Sequence, residues 1–377
     1  MTGEPRPALV SAGELFGGAE RHLLGLGTWL RRQEHEPLLV LFHDRELAAQ
    51  ARQAGLATEI LPVRGPFDPR GPGLMGRVLD RHGANVVHAH GYRAMVNTAL
   101  ARRGRQFACV RTVHGMLEHH GLNAAAVRSR LYSGLEILAS RRCGALVCCV
   151  TDDLRRRGGE AGARTIRNGI DPLRREDYPR PAAYADGAFH TAAVGRLIPV
   201  KGLDVALEAL ALVPAAAGVV LHLVGSGPEQ NALERRAAAL GLGGRARFHG
   251  FRADAYAYIA HADLLLMPSR HEGLPYTILE AMSLGVPVLA ARVGGLAEVL
   301  VGGEDAVLVA ADDVRGLAAA WTELATDPAN GRALAEAARR KQSRELDLDA
   351  MGRAYWQAYG DALAGRGAGA PAVEAIP

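Results

Sequence analysis

A chain of 377 residues, 49% of them hydrophobic, carries enough apolar surface for two separate cores and is neither a disordered nor a disulfide-stapled chain. Its formal charge of +4 is small, no run approaches the roughly 20 apolar residues of a membrane span, and the four cysteines (109, 143, 148 and 149) have no metal-ligand spacing. No apolar leader precedes the first strand, so the expectation is a cytoplasmic protein, free or peripheral to the inner face of a membrane.

Short apolar runs alternate with helical stretches from end to end, the rhythm of βαβ units and parallel sheets. In the first half the predicted strands are 8–11, 37–41, 58–63, 85–88, 107–113 and 145–150. Helices are expected over 19–31, 46–54, 94–103 and 124–142. The last sets Val127, Leu131, Leu135 and Leu138 at helical spacing, with Arg128, Arg141 and Arg142 elsewhere. Asn168-Gly169-Ile170-Asp171-Pro172 is a strong turn signal. Residues 172–187, with three prolines, many charges and no apolar period, read as a linker. The rhythm restarts with strands at 189–194, 219–224, 246–249, 263–267, 286–290 and 306–309. Helices follow at 277–284, 317–325, 330–340 and 348–363. The expected organisation is α/β: two doubly wound Rossmann-like domains at 1–171 and 188–350, a closing helix at 351–365, and a tail at 366–377 of disordered composition.

Candidate functional residues sit where strands end. Gly17-Gly18 follow the first strand and precede a helix, as in a phosphate-cradling turn or a plain tight turn. Glu20, inside that helix start, either meets an acceptor or balances the helix dipole. His88 and His90 end the fourth strand, where a histidine can bind a hydroxyl or serve as a satisfied structural residue. His114 ends the next strand, before Gly115. In the second half Arg196 ends a strand and Lys201 opens a helix, so both can meet one anion. A lysine there stands out, because the chain has two lysines, Lys201 and Lys341, against 42 arginines. Gly225-Ser226-Gly227-Pro228 is a second glycine turn, and Phe251-Arg252 close the segment FHGFR. Asp152-Asp153 and Asp347-Leu348-Asp349 read as solvated helix starts rather than metal ligands, and no metal or other cofactor is expected.

The densest pattern is PSRHEGLPYTILEAMSLGVPVLAARVGGLAE, residues 268–298. A loop carrying Glu272, Gly273, Leu274 and Pro275 leads from a buried strand into a helix near Tyr276 and Thr277, and Glu280 lies within that helix. The first helical amides attract an anion, and the two acids suit neutral hydroxyls, a combination fit for a sugar nucleotide. Thr277 and Glu280 also fit a Thr-x-x-Glu capping box, in which Glu280 only closes the helix start.

The spaced pattern EGLPxxxLEAMxxGxPVxAxxxGGxxE resembles the C-terminal signature of the retaining family-4 glycosyltransferases, also called glycosyltransferase group 1. The two-domain rhythm extends the resemblance over essentially the whole chain. It implies the GT-B architecture, with an active site in an interdomain cleft and a last helix crossing back to the N-terminal domain. It implies that Glu272 contacts the transferred sugar and Glu280 the ribose, and that Gly17 and Gly18, in a GGxE, face the donor. His114 would hydrogen-bond the donor sugar, and Arg196 with Lys201, in GRLxxxKG, would stabilise the departing diphosphate. Phe251 and Arg252 match the segment where backbone groups read the nucleobase, and Gly273, Leu274, Pro275, Tyr276 and Thr277 line the donor site. The implied catalytic set is His114, Arg196, Lys201 and Glu272, with Glu20, His88 and His90 as acceptor candidates.

The implied activity is metal-independent, retaining transfer of a sugar from a nucleotide-diphosphate sugar to an acceptor hydroxyl, in bacterial cell-surface polysaccharide, glycolipid or glycoconjugate synthesis. The alternatives are a sugar-nucleotide 2-epimerase of the same fold, a non-catalytic sugar-nucleotide sensor, and glycosylation of a small soluble metabolite. Charge is unevenly spread: residues 1–171 hold 24 arginines and no lysine against 16 acids, a formal +8, leaving −4 for the remainder. A basic acceptor-side domain suits a lipid-linked acceptor at an anionic membrane or an anionic soluble one. Arg102, Arg103, Arg105, Arg128, Arg130, Arg141 and Arg142 are the contributors to weigh, against ordinary solvated helix faces. No nucleic-acid motif accompanies the charge.

Overall fold

The computed structural model describes residues 3–14, 16–64, 68–115 and 124–365. It divides into two compact units, Met1–Asn168 with Leu348–Pro377, and Gly169–Asp347. The strands of the first unit are β1 (Pro7–Ser11), β2 (Leu38–Leu41), β3 (Ala57–Ile60), β4 (Val86–His90), β5 (Ala108–Val113), β6 (Leu146–Cys149) and β7 (Arg164–Thr165). Its helices are α1 (Gly18–Arg32), α2 (Glu46–Gln53), α3 (Gly71–Arg81), α4 (Tyr92–Ala101), α5 (Ala124–Cys143) and α6 (Asp152–Gly158). The second unit has β8 (Phe189–Val194), β9 (Val219–Val224), β10 (Ala246–Phe248), β11 (Leu264–Met267), β12 (Val288–Ala291) and β13 (Val307–Val309). Its helices are α7 (Leu203–Leu212), α8 (Gln230–Ala239), α9 (Ala255–Ala260), α10 (Tyr276–Leu284), α11 (Leu296–Val299), α12 (Val314–Thr326) and α13 (Pro328–Glu345). Helix α14 (Leu348–Leu363) belongs to the first unit.

Both sheets are parallel, in the orders β3-β2-β1-β4-β5-β6-β7 and β10-β9-β8-β11-β12-β13. Strands covered by helices on both faces read as unbroken apolar runs, and β1, β2, β9 and β11 are buried at every position. In each sheet the strand order reverses once, between β1 and β4 and between β8 and β11. Loops leaving the carboxyl ends of such a strand pair diverge to opposite faces and leave a crevice where ligands bind.

Helix α14 buries Leu348, Met351, Tyr355, Ala358, Tyr359 and Leu363, spaced as one helical stripe, in the core that holds Leu23, Leu26, Trp29 and Leu30 of α1. A side chain at Gly352 would collide with the Trp29 ring, so the two helices approach closely there. The Trp29 indole donates to Asp349 at 2.8 Å, which gives the second acid of Asp347-Leu348-Asp349 a structural task.

Beyond the short helices α9 and α11, which were not expected, three features depart from the expected elements. Helix α3 was hidden by Gly71, Pro72, Gly73 and Gly76; Pro72 lies in its first turn, where it is tolerated, and Met75, Val78 and Leu79 are buried. Strand β7, two residues long, has no apolar run. The stretch 172–187, expected as a linker, is grouped with the second unit and packs on it. Tyr184 is buried, donates to the Tyr258 carbonyl at 2.9 Å and stacks on His190, while Arg247 donates to the Ala183 carbonyl. The expected tail at 366–377 lies outside the described residues. No helix among the described residues is long and apolar enough to cross a membrane.

The second unit begins and ends at neighbouring points. The Ile170 amide donates to the Leu346 carbonyl at 3.1 Å, the Gln342 side chain donates to the Ile170 carbonyl, and Ile170 forms a parallel bridge with Asp347.

Candidate active site

In the second unit, the loops after β8 and β11 meet at the reversal point of the sheet. The Lys201 ammonium donates to Glu272 Oε1 at 2.6 Å, and the Ser269 hydroxyl donates to the same oxygen at 2.7 Å. Glu272 is nearly buried and Lys201 is partly exposed, so the pair lies at the surface of the crevice rather than in the core. Glycines make the approach possible. Gly202 has φ +61°, and a Cβ there would collide with the Pro268 carbonyl. Gly294, with φ +43°, packs in the same way on the Glu272 carbonyl, which also accepts from the Gly295 amide at 3.0 Å. The two glycines of the signature therefore fix the backbone that carries Glu272.

The glycine turn after β9 does the same for Arg196. Leu197 is buried and its amide donates to the Ser226 carbonyl, while Gly227 packs directly on the Leu197 carbonyl. This anchoring leaves Arg196 exposed on the loop that also carries Lys201. Arg270 was not singled out in the sequence. Its guanidinium pairs with Asp204 at 2.7 Å and Asp312 at 2.8 Å, and its amide donates to the Val200 carbonyl, tying the Lys201 turn to the Glu272 loop. Its partners lie 66 and 42 residues away, so no local pattern could have marked it.

Helix α10 starts from Pro275 as N-cap, with Tyr276 as its first residue. Thr277 is then the second helical residue, so the capping box with Glu280 does not form the helix start. Glu280 sits farther along the helix and is buried, as are Gly273, Leu274 and Tyr276; Thr277 is half-buried. Beyond β10, Phe251 is 73% exposed, and Arg252 is held by Asp254 in a bidentate pair at 2.8 Å.

In the first unit, four histidines converge. His114, just beyond β5, is half-buried, and its Nε2 lies 2.8 Å from Nδ1 of His90. The ring of His22, on α1, packs 4.8 Å from His114 and 5.3 Å from His90, and His22 Nδ1 lies 3.0 Å from Asn168 Oδ1. Burial pushes the His22 imidazole down to about 4. It pushes His88, His90 and His114 well below the usual histidine range, helped by their mutual repulsion when charged. All four are therefore neutral near pH 7. His114 can donate or accept a hydrogen bond, but it is a poor proton donor.

Two of the acceptor candidates have structural partners. His88 is fully buried, with Nδ1 2.8 Å from the Tyr359 hydroxyl and Nε2 2.7 Å from the Thr112 hydroxyl, so it is a satisfied structural residue rather than an acceptor ligand. Glu20 reaches back to the Gly17 amide at 3.1 Å and serves the start of α1. Gly17 is the N-cap of that helix and Gly18 its first residue. His90 is buried and hands its Nδ1 to His114. His22 was not foreseen, because its partners come from other parts of the chain. A cavity of about 360 Å³ lies at the opposite, amino-terminal ends of β1, β2 and β3 and holds none of these residues.

Residues 16–174 match the profile of Glycosyltransferase Family 4, and residues 188–327 that of Glycosyl transferases group 1. A glycogen synthase of Mycobacterium tuberculosis is 30% identical over 286 residues, covering 73% of this chain and 68% of that protein. The lipopolysaccharide core biosynthesis glycosyltransferase LpsE of Rhizobium meliloti is 34% identical over 164 residues, 44% of this chain and 47% of its own. Among solved structures, Anabaena HepE in complex with UDP and glucose is similar in fold, with a TM-score of 0.80 at 24% identity over 95% of this chain and 100% of that one. With its two parallel Rossmann-like sheets and its match to both profiles, the chain belongs to the group 1, family 4 glycosyltransferases of GT-B fold.

Proposed function

We propose that the protein transfers a sugar from a nucleoside-diphosphate sugar to an acceptor hydroxyl, with retention at the anomeric carbon and without a metal ion. The observation that carries this reading is the Lys201–Glu272 contact at the reversal point of the second sheet, with Arg196 exposed on the same loop as Lys201. The UDP and glucose bound by the structurally similar HepE support a nucleotide sugar as donor. Arg196 and Lys201 offer two fixed cations to the diphosphate. As the bond from C1 to the phosphate oxygen breaks, negative charge grows on that oxygen, and cations held in place stabilise it most in the transition state. The acceptor oxygen then bonds to C1 on the face the phosphate leaves, and its proton passes to the departing phosphate. Glu272 accepts from hydroxyls of the transferred sugar and Glu280 from the ribose. Neutral His114 adds a hydrogen bond to the donor sugar.

The test is turnover of a panel of nucleotide sugars with and without hydroxyl acceptors, in chelator and in Mg²⁺, with product configuration read by NMR. Acceptor-dependent release of nucleoside diphosphate, unchanged by chelator and giving a retained anomer, is expected. Acceptor-free conversion of the donor to its 2-epimer would make the protein an isomerase, and activity restored only by Mg²⁺ would refute the cation assignment.

A further inference from the structure

Helix α5 has apolar residues on two faces. One face is covered: Ser129, Ala139, Ser140 and Cys143 are buried, Glu136 pairs with Arg111 at 3.0 Å, and Tyr132 stacks on Tyr92. The other carries Val127, Leu131 and Leu138, which are 54%, 59% and 62% exposed. At 3.6 residues per turn these three fall within about 40° of one another, roughly opposite the buried face. Arg130 and Arg141 flank this stripe on one side and Arg128 and Arg142 on the other, all four exposed.

Of the other arginines weighed for the same role, Arg103 is exposed beyond the end of α4, and two are tied down. Arg105 is held by Asp80, and Arg102 donates to the Cys143 carbonyl. The exposed charge of α5 is thus confined to the borders of the apolar stripe.

We propose that the outward face of α5 docks in the plane of an anionic membrane. A stripe of aliphatic side chains bordered by arginines is what a helix lying in the interface needs. The aliphatics enter the acyl boundary, while the arginine stems lie along it and the guanidinium groups stay at the phosphates. An anionic bilayer supplies both halves of that complement. A second copy of the same face would bring arginines against arginines. The inference stands on α5 alone and does not depend on the chemistry assigned to the second unit.

The experiment is co-sedimentation of the full chain at low salt with phosphatidylcholine vesicles, either pure or containing roughly one-third phosphatidylglycerol. Wild type is expected to pellet with the anionic vesicles and not with the neutral ones. Leu131→Glu with Leu138→Glu should lower the partition coefficient by about tenfold or more. Arg128→Gln with Arg142→Gln, a surface pair whose fold is checked by circular dichroism, should lower it by roughly tenfold. Failure of wild type to bind anionic vesicles would overturn the proposal, as would either variant binding like wild type. A dimer that the leucine variant dissociates would assign the face to a second copy. A lower Tm with unchanged vesicle binding would assign it to another part of the same chain.

Discussion

Lys201 and Glu272, 71 residues apart, share a hydrogen bond of 2.6 Å between the loops that end β8 and β11. The pair holds both groups in place, but it also sets a competition. A diphosphate reaching Lys201 would draw the ammonium toward itself and leave the Glu272 carboxylate free for sugar hydroxyls. Lys201→Ala and Arg196→Ala should each lower kcat by about 10²- to 10³-fold, the scale of removing one group that stabilises developing charge. Steady-state rates on a fixed donor decide it. Near-normal rates in both folded variants would remove the diphosphate clamp from the mechanism.

The two acids should separate in a binding experiment. Glu280→Gln should weaken free nucleoside diphosphate by about tenfold or more, because a charged hydrogen bond to the ribose is lost. Glu272→Gln should leave that affinity intact or slightly raised, since it releases Lys201, while lowering kcat. Isothermal calorimetry with the nucleoside diphosphate alone tells the two apart. Equal losses would mean that the roles are not divided in this way.

Acid should destabilise the fold through its buried histidines. Below about pH 6.5 the unfolded chain protonates all of them. The folded chain leaves His22 neutral until about 4, His222 until about 3, and His88, His90 and His114 well below their usual range. The unfolded state therefore binds more protons, and the free energy of unfolding falls with pH by up to about 1.4 kcal/mol per pH unit for each such residue. The stabilisation is complete above pH 6.5 and is lost as pH drops from there toward the folded values. Thermal melts should show a level Tm from about pH 7.5 to about pH 6.5 and a steady fall from there to about pH 5, shallower in His22→Gln by roughly one proton. A flat profile would contradict the neutral cluster.

Gly202 and Gly218 form a controlled comparison. Both are left-handed, at φ +61° and +62°, but only Gly202 would drive a side chain into backbone, the Pro268 carbonyl; nothing lies near Gly218. Each Gly→Ala change costs the strain of a left-handed alanine, on the order of 1 kcal/mol. Gly202→Ala should cost about 1–3 kcal/mol more by displacing the loop that carries Glu272, and should lower kcat as well. Urea melts measure the difference, and equal losses would deny the close approach.

Most of the fold was legible because buried parallel strands are continuous apolar runs, and those runs gave all of the strands except β7. The reversal of strand order was not legible, since it depends on which strands pair. Helix α3 was masked by its glycines, and 172–187 by a composition whose one decisive residue is Tyr184. The period of α5 is the same whether Val127, Leu131 and Leu138 face the core or solvent, so orientation needed the structure. The signature supplied Glu272, and the GRLxxxKG match supplied Lys201, but neither could say that the two touch. The Arg270 clamp and the His22–His90–His114 cluster join residues from separate elements and leave no trace at any fixed spacing.

The bridge between Ile170 and Asp347 has a practical consequence. In the gene, the segment from Gly169 to Asp347 is an uninterrupted cassette whose two ends emerge side by side, with every strand of its own sheet inside it. Such a cassette can be excised, expressed as a half-molecule or exchanged with that of a relative without cutting a strand pairing. Recombination between members of the family could therefore reassort this half against different partners, leaving the chain on either side of the insert unchanged.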